Sequence, residues 1–102
     1  VLTVASGGVM TEIYKDASTV LVPAHDISLM AALESLRIAP IFNGFRGSPA
    51  ASRTAVLDQI KCLVSLMEGT PDIIEIEINP MMVGTDYACC ADALISISGT
   101  AA

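Results

Sequence analysis

Basic residues are scarce: five Lys and Arg stand against eleven Asp and Glu, for a formal charge of −6. Lys15, Arg37, Arg46, Arg53 and Lys61 are scattered along the chain, whereas a nucleic-acid footprint needs clustered cations, so nucleic acid is excluded as a partner. No uncharged run reaches the roughly 18–20 residues that span a bilayer, and no signal peptide is visible, so no membrane partner is expected. Cysteine is limited to Cys62, Cys89 and Cys90, odd in number, two adjacent and none in a C-x-x-C pair. That fits reduced thiols in a cytoplasm better than a disulfide framework or a zinc site. The single histidine, His25 in "VPAHDIS", stands at a strand–helix junction and reads as a loop residue without a role. Internal repeats and linker-like stretches are absent too.

What is present is a core-forming chain. Its 53% hydrophobic and 16% charged content over 102 residues argues against disorder and for one domain. A chain of this size buries roughly 60–65% of its extended surface. The opening "VLTVASGG", strand-like and without an initiator Met, is expected of a processed chain or a piece of something longer.

The spacing of apolar and turn residues predicts strand material over 1–14, broken at Ser6-Gly7-Gly8, and a return strand over 19–22 after a turn at 15–18. Asp26 is expected to cap a helix to about Arg37, with Ile27, Met30, Leu33 and Leu36 as its stripe and Pro40 as its stop. "NGFRGSP" is a loop, and Ser48-Pro49 suits the N-cap and first turn of a second helix to about Glu68. Val56, Ile60, Leu63, Val64 and Met67 form its stripe, with Gly69 and Pro71 beyond its end. Strands fill 73–83 and 87–98. The order, ββαβαβ-like and ending in a hairpin, predicts an α/β (α+β) fold: a mostly antiparallel sheet with two helices packed on one face.

The stretch "IIEIEINPMMVG" alternates strictly through residues 74–80, the period of a strand with one buried face. A two-residue loop at Thr85-Asp86 pairs Gly84 with Tyr87 and sets the register of the whole hairpin. Ile76, Ile78, Pro80, Met82, Tyr87, Cys89, Ala91, Ala93, Ile95 and Ile97 then share an apolar face. Glu75, Glu77, Asn79, Asp92, Ser96 and Ser98 share the other, and a one-residue slip would scramble the division. Asn79 falls opposite Asp92, at a Cβ separation of about 4.5–5.5 Å. Two oxygen-bearing side chains so placed can bracket Mg²⁺, which takes one or two carboxylates plus phosphate oxygens and water. Glu77 lies within reach of that cation or of a water on it. The same pattern also suits a plain solvated face, with Asn79 and Asp92 joined by a cross-strand hydrogen bond. Pro80 leans toward the site, because proline within a sheet marks edges and bulges where side chains are re-aimed.

"EIEINPMMV" followed by "CCADALI" resembles the metal-binding hairpin of the ATP-grasp fold, specifically that of NDP-forming acyl-CoA synthetases, relatives of the succinyl-CoA synthetase beta subunit. "SGGVMTEIYKDAS" resembles the family's Gly-Gly strand ending in Glu and Lys-Asp, and "PIFNGFRGSP" its Leu-x-Gly-Tyr-Arg-Gly loop. The four motifs occur in family order across nearly the whole chain. The resemblance implies Mg²⁺ ligands at Asn79 and Asp92 with Glu77 as acidic neighbour, and nucleotide contacts (ATP or ADP) at Gly7, Gly8 and Glu12. It implies a phosphate contact at Arg46, whose fork suits phosphate oxygens; a surface loop charge is the alternative. The chain departs from the family pattern at Val20, where Arg is usual, and at Ser52, where Asp is usual. Both losses bear on nucleotide affinity.

By the same resemblance this is the C-terminal subdomain of an ATP-grasp domain, one domain over 1–102 within a larger cytoplasmic enzyme. That enzyme interconverts acid, CoA and ATP with acyl-CoA, ADP and phosphate, through an acyl phosphate and a phosphohistidine. The other ATP-grasp half, with the adenine pocket and phosphate-binding lysine, and the CoA-binding domains or subunit are the implied partners. The isolated chain is expected to be inactive, and its uncovered apolar surface invites homo-oligomers. The alternative is a non-catalytic ATP-grasp module with a regulatory or partner-binding role, as in multidomain protein acetyltransferases.

Overall fold

The computed structural model describes residues 1–7 and 15–98. The element order is β1 (Leu2–Ala5), β2 (Ala17–Val20), α1 (Asp26–Glu34), a 3-10 helix (Ala39–Asn43), α2 (Arg53–Gly69), β3 (Ile73–Ile78), β4 (Met81–Val83), β5 (Ala88–Cys90) and β6 (Ala93–Ile97). The helices therefore follow one another in the middle of the chain, a ββααββββ order in place of the expected ββαβαβ. All pairing is antiparallel, in three two-stranded ribbons: β1–β2, β3–β6 and β4–β5.

The core forms where α1, the 3-10 helix and α2 meet. Leu29, Leu33, Ala39, Phe42, Val56, Leu57 and Ile60 are its buried members, and Leu2, Val4 and Val20 from one side and Met81, Val83 and Ala88 from the other pack against it. In α1 the buried stripe is Leu29, Ala32 and Leu33, and Ile27 is 84% exposed. Of the expected stripe, Leu33 and Leu36 are buried and Met30 packs against the core, while Ile27 is displaced by Leu29 and Ala32, because residues 29–33 are apolar all round. His25, with no side-chain cap bond, precedes α1, and Asp26 instead stands in the first turn, 3.2 Å from Lys61 Nζ.

The start of α2 also differs from expectation. Its N-cap is Ser52, whose Oγ accepts the Ala55 N–H at 3.1 Å. Serine satisfies a first-turn amide here, and Ser48-Pro49 lies outside the helix. The Ser52 N–H in turn donates to Gly84 O at 2.8 Å, fastening the helix start to the hairpin tip. Arg53 braces the same junction. Its Nη2 donates to Asn43 Oδ1 at 3.1 Å and its guanidinium stacks 5.4 Å from the Phe42 ring centroid. Its Nε lies 2.8 Å from Glu34 Oε1, an ion pair without hydrogen-bond alignment.

Candidate metal and phosphate site

The final hairpin keeps the expected register on both sides of its break: Ile76 opposes Ile95, Glu77 opposes Leu94, Met81 opposes Cys90 and Val83 opposes Ala88. The far end departs: the register shifts between Ile73 and Glu75, so Ile73 opposes Ile97 where the expected register places Ser98. The break falls at Asn79-Pro80 and Ala91-Asp92, where no strand is assigned. Proline has no N–H for the ladder, yet Asn79 N–H still donates to Asp92 O at 3.2 Å and Ala91 N–H to Pro80 O at 3.0 Å.

Beyond the break the buried side changes. Met81, Val83 and Ala88 turn to the core, while Met82, Tyr87 and Cys89 are exposed. The single apolar face expected from Ile76 to Ile97 is therefore corrected: it is two faces, interrupted at the proline. Ile95 and Ile97 also stay 48% and 65% exposed.

At this break Glu77, Asn79 and Asp92 line one open cavity of about 410 Å³, together with Ala93 and Leu94. Asp92 Oδ1 accepts the Ala93 N–H at 2.9 Å, which orients the carboxylate and leaves further acceptor positions free. Among the described residues, no hydrogen bond joins the side chains of Asn79 and Asp92, and no Lys or Arg pairs with Glu75, Glu77 or Asp92. The acidic shelf thus carries uncompensated charge beside an amide oxygen, a donor set suited to a hard cation. Also among the described residues, no three His, Cys, Asp or Glu converge on one point. A cation at this shelf would draw its remaining ligands from phosphate and water.

Arg46 sits at a tight turn. Ser48 N–H donates to Phe45 O at 3.0 Å, and Arg46 and Gly47 both take positive φ, 51° and 80°. Such a two-residue turn requires left-handed backbone at both centres. The Arg46 guanidinium stands 5.3 Å from the exposed Phe45 ring. Gly7, with φ 83°, follows β1. Gly8 and Glu12 lie outside the described residues. Asp16, at the Lys-Asp end of the same Gly-Gly motif, is buried and accepts two backbone amides. An acid beside Lys15 at a strand start carries no sequence sign of burial.

Residues 1–97 match the model of the ATP-grasp domain family. The chain belongs to the ATP-grasp family. It is 32% identical over 87 residues to the beta subunit of ADP-forming acetate–CoA ligase I from Pyrococcus furiosus, covering 85% of this chain and 38% of that one. It is 35% identical over 77 residues to a trans-feruloyl-CoA synthase of an unknown prokaryotic organism, covering 76% of this chain and 11% of that one. In structure it is similar to acetyl-coenzyme A synthetase 1 of Candidatus Korarchaeum cryptofilum, solved with coenzyme A and Mg-AMPPCP. The TM-score is 0.85 at 21% identity, over 93% of this chain and 45% of that one. A Pyrococcus horikoshii structure gives 0.82 at 25% identity, over 94% and 41%. This ATP-grasp chain thus spans well under half the length of the curated relatives it matches, and its homologues are CoA ligases.

No helix among the described residues is long and apolar enough to cross a membrane.

Proposed function

We propose that this chain is the metal- and phosphate-facing part of an ADP-forming acyl-CoA synthetase, one domain within a larger ligase. The observation that carries the reading is the meeting of Glu77, Asn79 and Asp92 in one cavity at the Pro80 break. Asp92, its carboxylate oriented by the Ala93 N–H, and the Asn79 amide oxygen would hold Mg²⁺, with Glu77 orienting a water beside them. When bound, Mg²⁺ neutralises charge that develops on transferring phosphoryl oxygens. The chain's own part is electrostatic and positional. The acidic shelf offers oxygen donors, and Arg46 at its turn offers a fork to phosphate oxygens. Gly7 lets the main chain turn without a side chain in the way, which suits close approach of a phosphate. ATP or ADP is the nucleotide, and the reacting acyl and phosphoryl carriers come from the remaining ATP-grasp half and the CoA-binding domains.

The non-catalytic alternative draws on Val20, which packs against the core where the family pattern has arginine. The experiment that separates the two is acyl-CoA formation by the intact protein across a Mg²⁺ titration, parent against Asp92→Asn. A well-folded Asp92→Asn protein with unchanged turnover would move the assignment to the non-catalytic module.

A further inference from the structure

Asp16 is the buried polar residue of the described chain, 6% exposed, and takes no part in the acidic shelf. A buried carboxylate is costly unless donors surround it. Two do: Arg37 N–H reaches Oδ1 at 2.6 Å and Ile38 N–H reaches Oδ2 at 3.1 Å. Both amides belong to the turn between α1 and the 3-10 helix, at its N-cap Ile38 and the residue before it. The main chain of the same residue works in the other direction, since Ser6 N–H donates to Asp16 O at 3.0 Å. Ser6 adjoins Gly7. One residue therefore grips the end of β1 through its carbonyl and the 3-10 entry through its carboxylate.

The 3-10 helix leads directly to the Arg46 turn. Phe42 is buried in the core, Gly44 N–H and Ala51 N–H both donate to Ile41 O, at 3.2 and 2.9 Å, and the turn lies between these two bonds. Both stems of the turn are thus fastened to the helix whose entry Asp16 holds. We propose that Asp16 is a positioning residue that keeps the Gly7 end of β1 and the Arg46 turn in one fixed relation, so that both meet the phosphates of a nucleoside di- or triphosphate together. This rests on the reading that Gly7 and Arg46 face nucleotide. Misplacing such groups by an ångström weakens every contact that depends on their alignment.

The test measures Mg-ATP affinity by calorimetry on the intact protein, well below its melting temperature. The variants are Asp16→Asn, Arg46→Ala, the double variant and Asp92→Asn. Asparagine keeps the shape of Asp16 but turns an NH₂ toward one of the two amides. Each single change at 16 and 46 should weaken binding by about tenfold, the size of one charge-assisted hydrogen bond. The double variant should be little weaker than either, because a released turn no longer delivers its arginine. A merely structural Asp16 would lower the melting temperature and leave affinity untouched, or add its loss independently to that of Arg46→Ala; either result overturns the positioning role. Should Asp16→Asn fail to fold, Asp16→Glu, which keeps both acceptors but displaces them by a methylene, takes its place with the same expected non-additivity. Unchanged binding in both Asp92→Asn and Arg46→Ala brings down the nucleotide reading and this proposal with it. Weakened binding in those two with parent-like affinity at position 16 brings down the positioning role alone.

Discussion

At position 52 this chain has serine where the family resemblance implies aspartate, and serine meets the same local need. Both residues are strong N-caps, and Ser52 Oγ holds the Ala55 N–H at 3.1 Å. Ser52→Ala should cost about 1 kcal/mol in urea unfolding, while Ser52→Asp should be close to neutral. Read this way, position 52 serves the helix start, and its change bears on folding before it bears on nucleotide. Asp92 behaves oppositely. Asp92→Asn keeps the Oδ1 that accepts from Ala93 and relieves a crowded acidic face, so thermal melts should barely move. Turnover of the intact protein should fall by about two to three orders of magnitude if the carboxylate holds a cation, since metal stabilisation of phosphate is worth several kcal/mol.

Among the elements, α2 joins the core to the site. Ile60 is 4% exposed and Leu66 44% exposed on the same helix. Ile60→Ala should therefore cost about 3 kcal/mol, and Leu66→Ala less than about 0.5 kcal/mol, a contrast that chemical denaturation reads directly. The Arg46 turn offers a second comparison. A Cβ at Gly47 would meet nothing within 4 Å, whereas one at Gly44 would lie 3.1 Å from Ser48 O. Both glycines have positive φ, 80° and 84°. Gly47→Ala should cost about 1 kcal/mol from backbone conformation alone, and Gly44→Ala more, because backbone must also move. Equal melting shifts for the two would contradict this account of the turn.

Across the whole molecule the proportions are uneven, 54 × 28 × 22 Å. The core is built from helices and the β1–β2 and β4–β5 ribbons, and no residue of β3 or β6 belongs to it. That ribbon exposes Leu94 at 63% on the face of the acidic cavity, and on the opposite face Ile95 and Ile97, at 48% and 65%, form an apolar surface. The chain produced alone should self-associate through this surface, and Ile95→Lys with Ile97→Lys should return it to a monomer in sedimentation velocity. As part of an ATP-grasp site, it should also bind Mg-ATP weakly; a micromolar Kd for a monomer would overturn that expectation.

The hairpin separates what the chain's own order of residues determines from what folding decides. A two-residue loop and a period of two dictate which residues oppose each other, so the pairing of Asn79 with Asp92 was legible without coordinates. Element type was legible for the same reason, because strand and helix repeats are local. Which face is buried was legible in α2, where Val56 and Ile60 lie in the core as expected, and not in β4 or at the start of α1. Alternation continues through Pro80, but the ladder is broken there and the core lies on the other side of β4, so Met81 and Val83 are packed and Met82 is not. In α1, apolar all round from 29 to 33, the choice of Leu29 over Ile27 belongs to α2 and Phe42 across the core. Asp16 is the sharpest case. Its role depends on amides 21 and 22 residues further along the chain, and only the tertiary fold brings a carboxylate to backbone groups that no local pattern connects to it.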